Sequence, residues 1–193
     1  ATMIRYITEF VFVLLVIVVC NSIALAQTNV QLLVAEADPA IQEQINRVYS
    51  HFIGPADQET KSDVLEELQR LKDITKEQDQ IVKQLAIFVA TTVSEEDMHL
   101  FAAETMLHFL EVPPRITIRV LAPYLDAEND QLRSFVRGWF NQHDSLEHVH
   151  GKPPLGSVNY HEYMEYVRSR LNRNEEIPVG FIRYIYDKHP GKA

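Results

Sequence analysis

Five potential metal ligands fall within eight residues of this chain. They are His143, Asp144, Glu147, His148 and His150, in the run His143-Asp144-Ser145-Leu146-Glu147-His148-Val149-His150. Imidazole nitrogen and carboxylate oxygen together suit zinc or another transition metal. Glu147 and His150 would face one ion if the segment coiled. The spacing matches no zinc motif, the His-Glu-x-x-His pattern being absent. His and Asp are also ordinary residues of a polar loop between helices. A metal-binding or metal-dependent protein using residues 143–150 is therefore the lesser alternative; in the leading reading no cofactor is expected.

Tyrosine and arginine form the second group. Tyr160, Tyr163, Tyr166, Tyr184 and Tyr186 crowd the end of the chain, with Arg168, Arg170, Arg173 and Arg183 close by. These two residue types are enriched where proteins bind one another. Tyr160 and Tyr163 fall on the apolar stripe of their own segment and read as core. Tyr166, Arg170 and Arg173 are spaced by 4 and 3, which puts them on another face of the same helix. An exposed ridge of these three that meets a protein partner is the lesser alternative; the leading reading is an ordinary amphipathic helix surface.

Catalytic signatures are missing from the sequence. There is no Gly-x-Ser-x-Gly elbow, phosphate-binding glycine loop or dinucleotide fingerprint. The single cysteine, Cys20, directly follows the apolar N-terminal run, so a thiol nucleophile is not expected in the chain after residue 26. Glu66-Glu67 and Glu95-Glu96 sit in charge-rich stretches with nothing to desolvate them and tune their pKa values. A non-enzyme is the expectation.

The elements that would position these residues are helices. Leu132, Phe135, Val136, Trp139 and Phe140 recur at i, i+3, i+4, i+7 and i+8, a continuous stripe on a 3.6-residue helix, with Arg133, Arg137 and Asn141 on the other face. Ile118, Leu121, Tyr124 and Leu125 make a preceding stripe; Pro114 suits its first turn and Pro123 should bend it. Earlier, Ile41, Ile45, Val48 and Phe52 define a helix stopped at Gly54-Pro55. Val64, Leu65, Leu68 and Leu71 define a second helix, and Ile81, Val82, Leu85, Phe88 and Val89 a third. Thr75 with Gln78, and Ser94 with Asp97, are spaced as capping boxes for the third and fourth helices. Tyr160, Tyr163, Met164, Val167 and Leu171 mark a late helix, and Phe181, Ile182, Ile185 and Tyr186 a final one starting at Pro178.

Grouped in pairs, first helices begin near residues 39, 77, 115 and 158, with the stripe of residues 82–89 superimposing on that of 118–125. Steps of about 40 residues are those of helical-repeat arrays. The expectation is an all-α fold of paired antiparallel helices stacked as a short solenoid; an irregular helical bundle is the alternative.

The string Arg119-Val120-Leu121-Ala122-Pro123-Tyr124-Leu125-Asp126, followed by Leu132-Arg133, resembles the signature of HEAT repeats. In that family a leucine-rich first helix carries a kinking proline, an Asp follows in the turn, and a Val-Arg pair opens the second helix. Leu132 stands here where Val is usual, and the turn is about one residue longer than the common pattern. The small-residue pair usual in the second helix is Val136-Arg137 here, while the preceding repeat keeps it as Ala102-Ala103. The resemblance spans about half of the chain after residue 26. It implies a protein–protein interaction or scaffold module of the kind found among small exported bacterial HEAT-repeat proteins, or a non-catalytic subunit of an envelope enzyme complex.

Residues 1–26 read as a secretory signal peptide, with Arg5 near the start, an apolar run from Phe10 to Val19, and Ala24-Leu25-Ala26 as a cleavage site. The run is about half the roughly 20 apolar residues a membrane span needs. Cleavage after Ala26 would leave residues 27–193 as a periplasmic or secreted repeat domain of four helix pairs, without stable membrane insertion. No polar capping helix follows the last pair, which either caps itself or belongs to a longer reading frame. From Gln27 to Val112 there are 16 acidic and 6 basic residues. That balance repels phosphate backbones, so another protein, and not nucleic acid, is the expected partner.

Overall fold

The computed structural model describes residues 30–54, 58–93, 97–144 and 160–190. The proposed signal peptide, residues 1–26, lies outside them. The described chain is all-α: a helical turn over 30–35 (α1) precedes α2 (Pro39–Ile53), α3 (Gln58–Ile74), α4 (Gln78–Thr91), α5 (Met98–Phe109), α6 (Pro114–Leu121), α7 (Asp130–His143), α8 (Tyr160–Asn172) and α9 (Val179–Lys188). A 3₁₀ turn, Ala122–Tyr124, extends α6. Among the described residues there is no strand, and no helix is long and apolar enough to cross a membrane.

Local chemistry sets most of the helix starts and stops. The Asp38 carboxylate accepts from Ala40 N at 2.9 Å and Ile41 N at 3.3 Å, with Pro39 in the first turn of α2. These bonds satisfy donors that a helix start leaves orphaned. Pro114 opens α6, and Pro123 converts its continuation to 3₁₀ geometry because it lacks the N–H an α-helix needs. Asn129 has two tasks. Its side-chain oxygen accepts from Leu132 N at 2.8 Å, capping α7, while its amide nitrogen donates to the Ala90 carbonyl at 3.0 Å near the end of α4.

Two of the expected caps are different in the structure. Thr75 does not cap α4: its hydroxyl accepts from Glu77 N at 3.3 Å, and Glu77 itself precedes the helix without a side-chain cap. Asp97 is the cap residue of α5 and not its third helical residue, with φ of 51° and no side-chain cap bond. Ser94 lies outside the described residues.

Helix α4 is the centre of the molecule. Ile81, Val82, Leu85, Ala86, Ile87, Phe88 and Val89 are all buried, so the helix is covered nearly all round, as a core helix must be. It packs against α2, α5, α6 and α7. The contacts recur from one helix pair to the next. First helices meet as α2–α4, α4–α6 and α6–α8; each also meets the second helix of the following pair, as α2–α5, α4–α7 and the 3₁₀ turn–α9. Ala102 and Ala103 in α5 are fully buried, and small side chains at such a contact let neighbouring backbones approach.

The buried polar residue of α4 is Gln84. Gln84 accepts from Asp38 N and from the Gln42 amide, each at 2.9 Å, and donates to the Glu36 carbonyl at 2.8 Å. One buried amide thereby holds α1, α2 and α4 together without an unsatisfied group.

All five apolar residues of the α7 stripe are buried, Trp139 and Phe140 among them. Burying two such rings contributes roughly 3–6 kcal/mol. The stripes of α3, α8 and α9 are narrower than expected. Leu65 is 57% exposed in α3, which packs mainly on α2. Leu171, Ile182 and Tyr186 also point outward. In α8 the inward face is Tyr163 with Tyr166, because Phe181 sits between their rings at 5.7 and 4.9 Å.

Candidate functional site at the junction of the last three helices

Helix α7 ends by sending two adjacent side chains in different directions. The His143 ring stacks on Trp139 at 4.7 Å, with Nδ1 2.8 Å from the Trp139 carbonyl. The next residue, Asp144, donates its N–H to the Phe140 carbonyl at 2.8 Å. Its carboxylate then accepts from the Tyr163 hydroxyl of α8 at 3.3 Å and from the Tyr184 hydroxyl of α9 at 3.2 Å. His189 Nε2, just beyond α9, lies 3.2 Å from the same carboxylate. One side chain, only 13% exposed, therefore joins the ends of three helices.

Burial is the largest cause that raises the pKa of both tyrosine hydroxyls further above the ordinary phenol range. Burial first, then Tyr184 and the Asp144 carboxylate, push the Tyr163 hydroxyl far above the ordinary phenol range. Burial and the Asp144 carboxylate do the same for Tyr184. Both hydroxyls stay donors throughout the working range of pH, which suits an anionic acceptor between them. Phe140 packs beneath this group, with ring centroids 6.1 Å from Tyr163, 6.1 Å from Phe181 and 5.2 Å from Tyr184.

This arrangement bears on the proposed metal loop. His143 and Asp144 do not converge: one is fixed on Trp139 and the other is taken up by Tyr163, Tyr184 and His189. Glu147, His148 and His150 lie outside the described residues. Among the described residues no three His, Cys, Asp or Glu side chains come together as a metal site.

The reading of an exposed Tyr/Arg ridge is corrected at Tyr166. Tyr166 is buried, 6% exposed, with its hydroxyl free of hydrogen-bond partners among the described residues. The face carrying it is turned inward by the Tyr166–Phe181 contact. Arg170 is engaged locally: its Nε and Nη2 donate to the Glu176 carbonyl at 3.0 and 2.7 Å, and Nη1 pairs with Glu175 at 3.1 Å. Arg173 pairs with the same Glu175 carboxylate at 3.3 Å. Together they brace the connection to α9, where Asn174 takes a left-handed φ of 53°, a conformation Asn tolerates better than most residues.

A second polar group centres on Asp126, the aspartate of the HEAT-like string. It accepts from Arg137 at 2.8 Å and from Arg183 at 3.3 Å. Arg137 also donates to the Leu125 carbonyl at 2.9 Å, and Arg133 donates to the Ala127 carbonyl at 2.6 Å. Both arginines of the α7 outer face thus hold the preceding turn. A Cβ at Gly180, in the first turn of α9, would lie 2.7 Å from the Asp126 carboxyl. Glycine there admits a carboxylate to the positive end of a helix. A groove of about 480 Å³ runs between Arg137, Arg183 and Lys188. A separate cleft of about 450 Å³ is floored by Trp139 and Leu107 and edged by His108, His143 and Pro113.

The Asp144 group was not visible in the sequence. Its members are 19, 40 and 45 residues from Asp144, and no local spacing links them. Comparison with known protein families, with curated proteins and with solved structures finds no match.

Proposed function

We propose that the protein is an exported HEAT-like α-solenoid that binds another protein, an interaction or scaffold module without catalytic activity of its own. The observation that carries this reading is the recurrence of helix contacts at the pair step, first helix on first helix and first helix on the next second helix. Stacked pairs of this kind make extended surfaces suited to binding. The string Arg119 to Asp126 with Leu132-Arg133 supports the HEAT assignment, and the signal-like residues 1–26 support export with the envelope or its exterior as the site of action. A larger envelope enzyme is one form the partner takes in this reading.

Asp144, Arg133, Arg137 and Arg170 each hold a helix end or turn, as a scaffold requires. Chemical cross-linking in the intact source envelope tests the proposal. Links from Lys83 and Lys188 to one other protein in constant ratio are expected. Links confined to the chain itself would count against it.

A further inference from the structure

Helix α9 covers only part of its apolar surface. Phe181 and Ile185 face the core, whereas Val179, Ile182 and Tyr186 remain 68%, 51% and 66% exposed. At about 100° per residue these three span a sector of about 60° on the outer side of the helix. Arg183 and Asp187 occupy the adjoining sector, also outward. The Arg183 side chain is 64% exposed and pairs with Asp126 through Nη1 at 3.3 Å. Asp187 is exposed and takes part in no ion pair among the described residues. An open triplet of this kind amounts to roughly 300 Å², comparable with the largest apolar patch of an ordinary monomer, and such patches are often functional.

We infer that this face pairs with the same face of a second copy, α9 against α9 in antiparallel orientation about a two-fold axis. The charge pattern selects that partner. With the axis passing beside residue 185, Arg183 of each copy lies opposite Asp187 of the other, so one opposite-charge pair spaced by four residues becomes two intermolecular pairs. A two-fold axis parallel to the helix puts the charged sectors on opposite sides of the seam and forms neither pair. The same antiparallel register brings each Tyr186 within about 3 Å, along the helix axis, of its symmetry mate, since residues rise about 1.5 Å each. An isologous contact of this sort closes on itself and leads to a dimer and not a fibre. The patch is smaller than the ~800 Å² per partner of a standard interface, so the dimer is weak and reversible.

This inference rests on the surface of α9 and not on the interaction-module reading. A homodimer free of any other protein supports it and counts against that reading.

Sedimentation equilibrium of the full chain over a wide concentration range tests it. The mass is expected to rise toward twice the chain mass, with the association weakening as salt is added. Ile182→Glu, Arg183→Asp and Asp187→Arg are each expected to weaken it about tenfold or more. The double variant Arg183→Asp/Asp187→Arg restores it to within about threefold, because the two charges are exchanged across the seam. All three sites are exposed, and circular dichroism confirms that each variant keeps its helices. A chain that stays monomeric throughout, or a dimer indifferent to these substitutions, overturns the inference. So does a double variant no better than the single ones.

Discussion

Asp144→Ala is the sharpest test of the junction between α7, α8 and α9. The substitution removes the acceptor of three groups, the Tyr163 and Tyr184 hydroxyls and His189 Nε2, while leaving the backbone bond from Asp144 N to Phe140. A hydrogen bond to a charged group contributes about 1.5–3 kcal/mol when buried, and a neutral one about 1. The contacts here are long, 3.2–3.3 Å, and the truncated side chain leaves space for water, so the three together are expected to be worth about 2–4 kcal/mol. For a chain of this size each kcal/mol moves the melting midpoint by roughly 2–4 °C. A loss of about 6–12 °C follows for a central value of 3 kcal/mol. Tyr163→Phe removes one donor and leaves the carboxylate two others, so it should cost about 1 kcal/mol. Chemical denaturation of the two single variants and the double variant gives the coupling, expected at about 0.5 kcal/mol or more. A loss below about 0.5 kcal/mol for Asp144→Ala, within the range of ordinary surface changes, would refute the role assigned to this carboxylate. Strict additivity would do so as well.

Phe140→Ala empties a site bounded by Trp139, Tyr163, Phe181 and Tyr184; a loss of about 3–5 kcal/mol in urea denaturation is expected. Asn129→Ala removes both the cap of α7 and the tie to Ala90, and should cost about 1–2 kcal/mol. Asn129→Ser should recover only part of that, because serine can cap but has no amide to offer the Ala90 carbonyl; equal stability of the two variants would show that the tie is idle. His99 is fully buried, and burial lowers its pKa against smaller opposing effects of Asp97 and Gln131. The folded chain therefore binds fewer protons than the unfolded one below the ordinary histidine value of 6.5. Stability should fall as pH drops through 6.5 toward the lowered value, where the slope from this group ends. His99→Leu should flatten the urea midpoint against pH in that window; an unchanged slope would remove His99 as the cause.

The fold was legible where apolar spacing was dense and wrong in detail where it was sparse. The α7 stripe from Leu132 to Phe140 needed no tertiary information, since five large apolar residues on one face leave a helix a single inward orientation. Residues 82–89 and 118–125 were equally clear, and Pro123 announced the change to 3₁₀ geometry through its missing N–H. In α8 the aromatic and apolar residues lie on several faces, so periodicity alone did not decide which face turned inward. Contact with Phe181, which is remote in sequence, decided it and buried Tyr166. The caps failed for a related reason: Thr75-x-x-Gln78 has the right spacing, but Glu77 takes the cap position and the threonine hydroxyl serves the turn before it. The junction at Asp144 was beyond sequence reasoning altogether, because its three partners come from two helices joined to it only by packing.

Native mass spectrometry of the chain isolated from its source cells tests the central claim most directly. It separates a bound protein, a second copy of the chain and a bound metal by mass in one spectrum. The account predicts a complex with a second, different protein at fixed stoichiometry. A chain that arrives without such a protein, and above all a monomer holding one transition-metal ion, would contradict it.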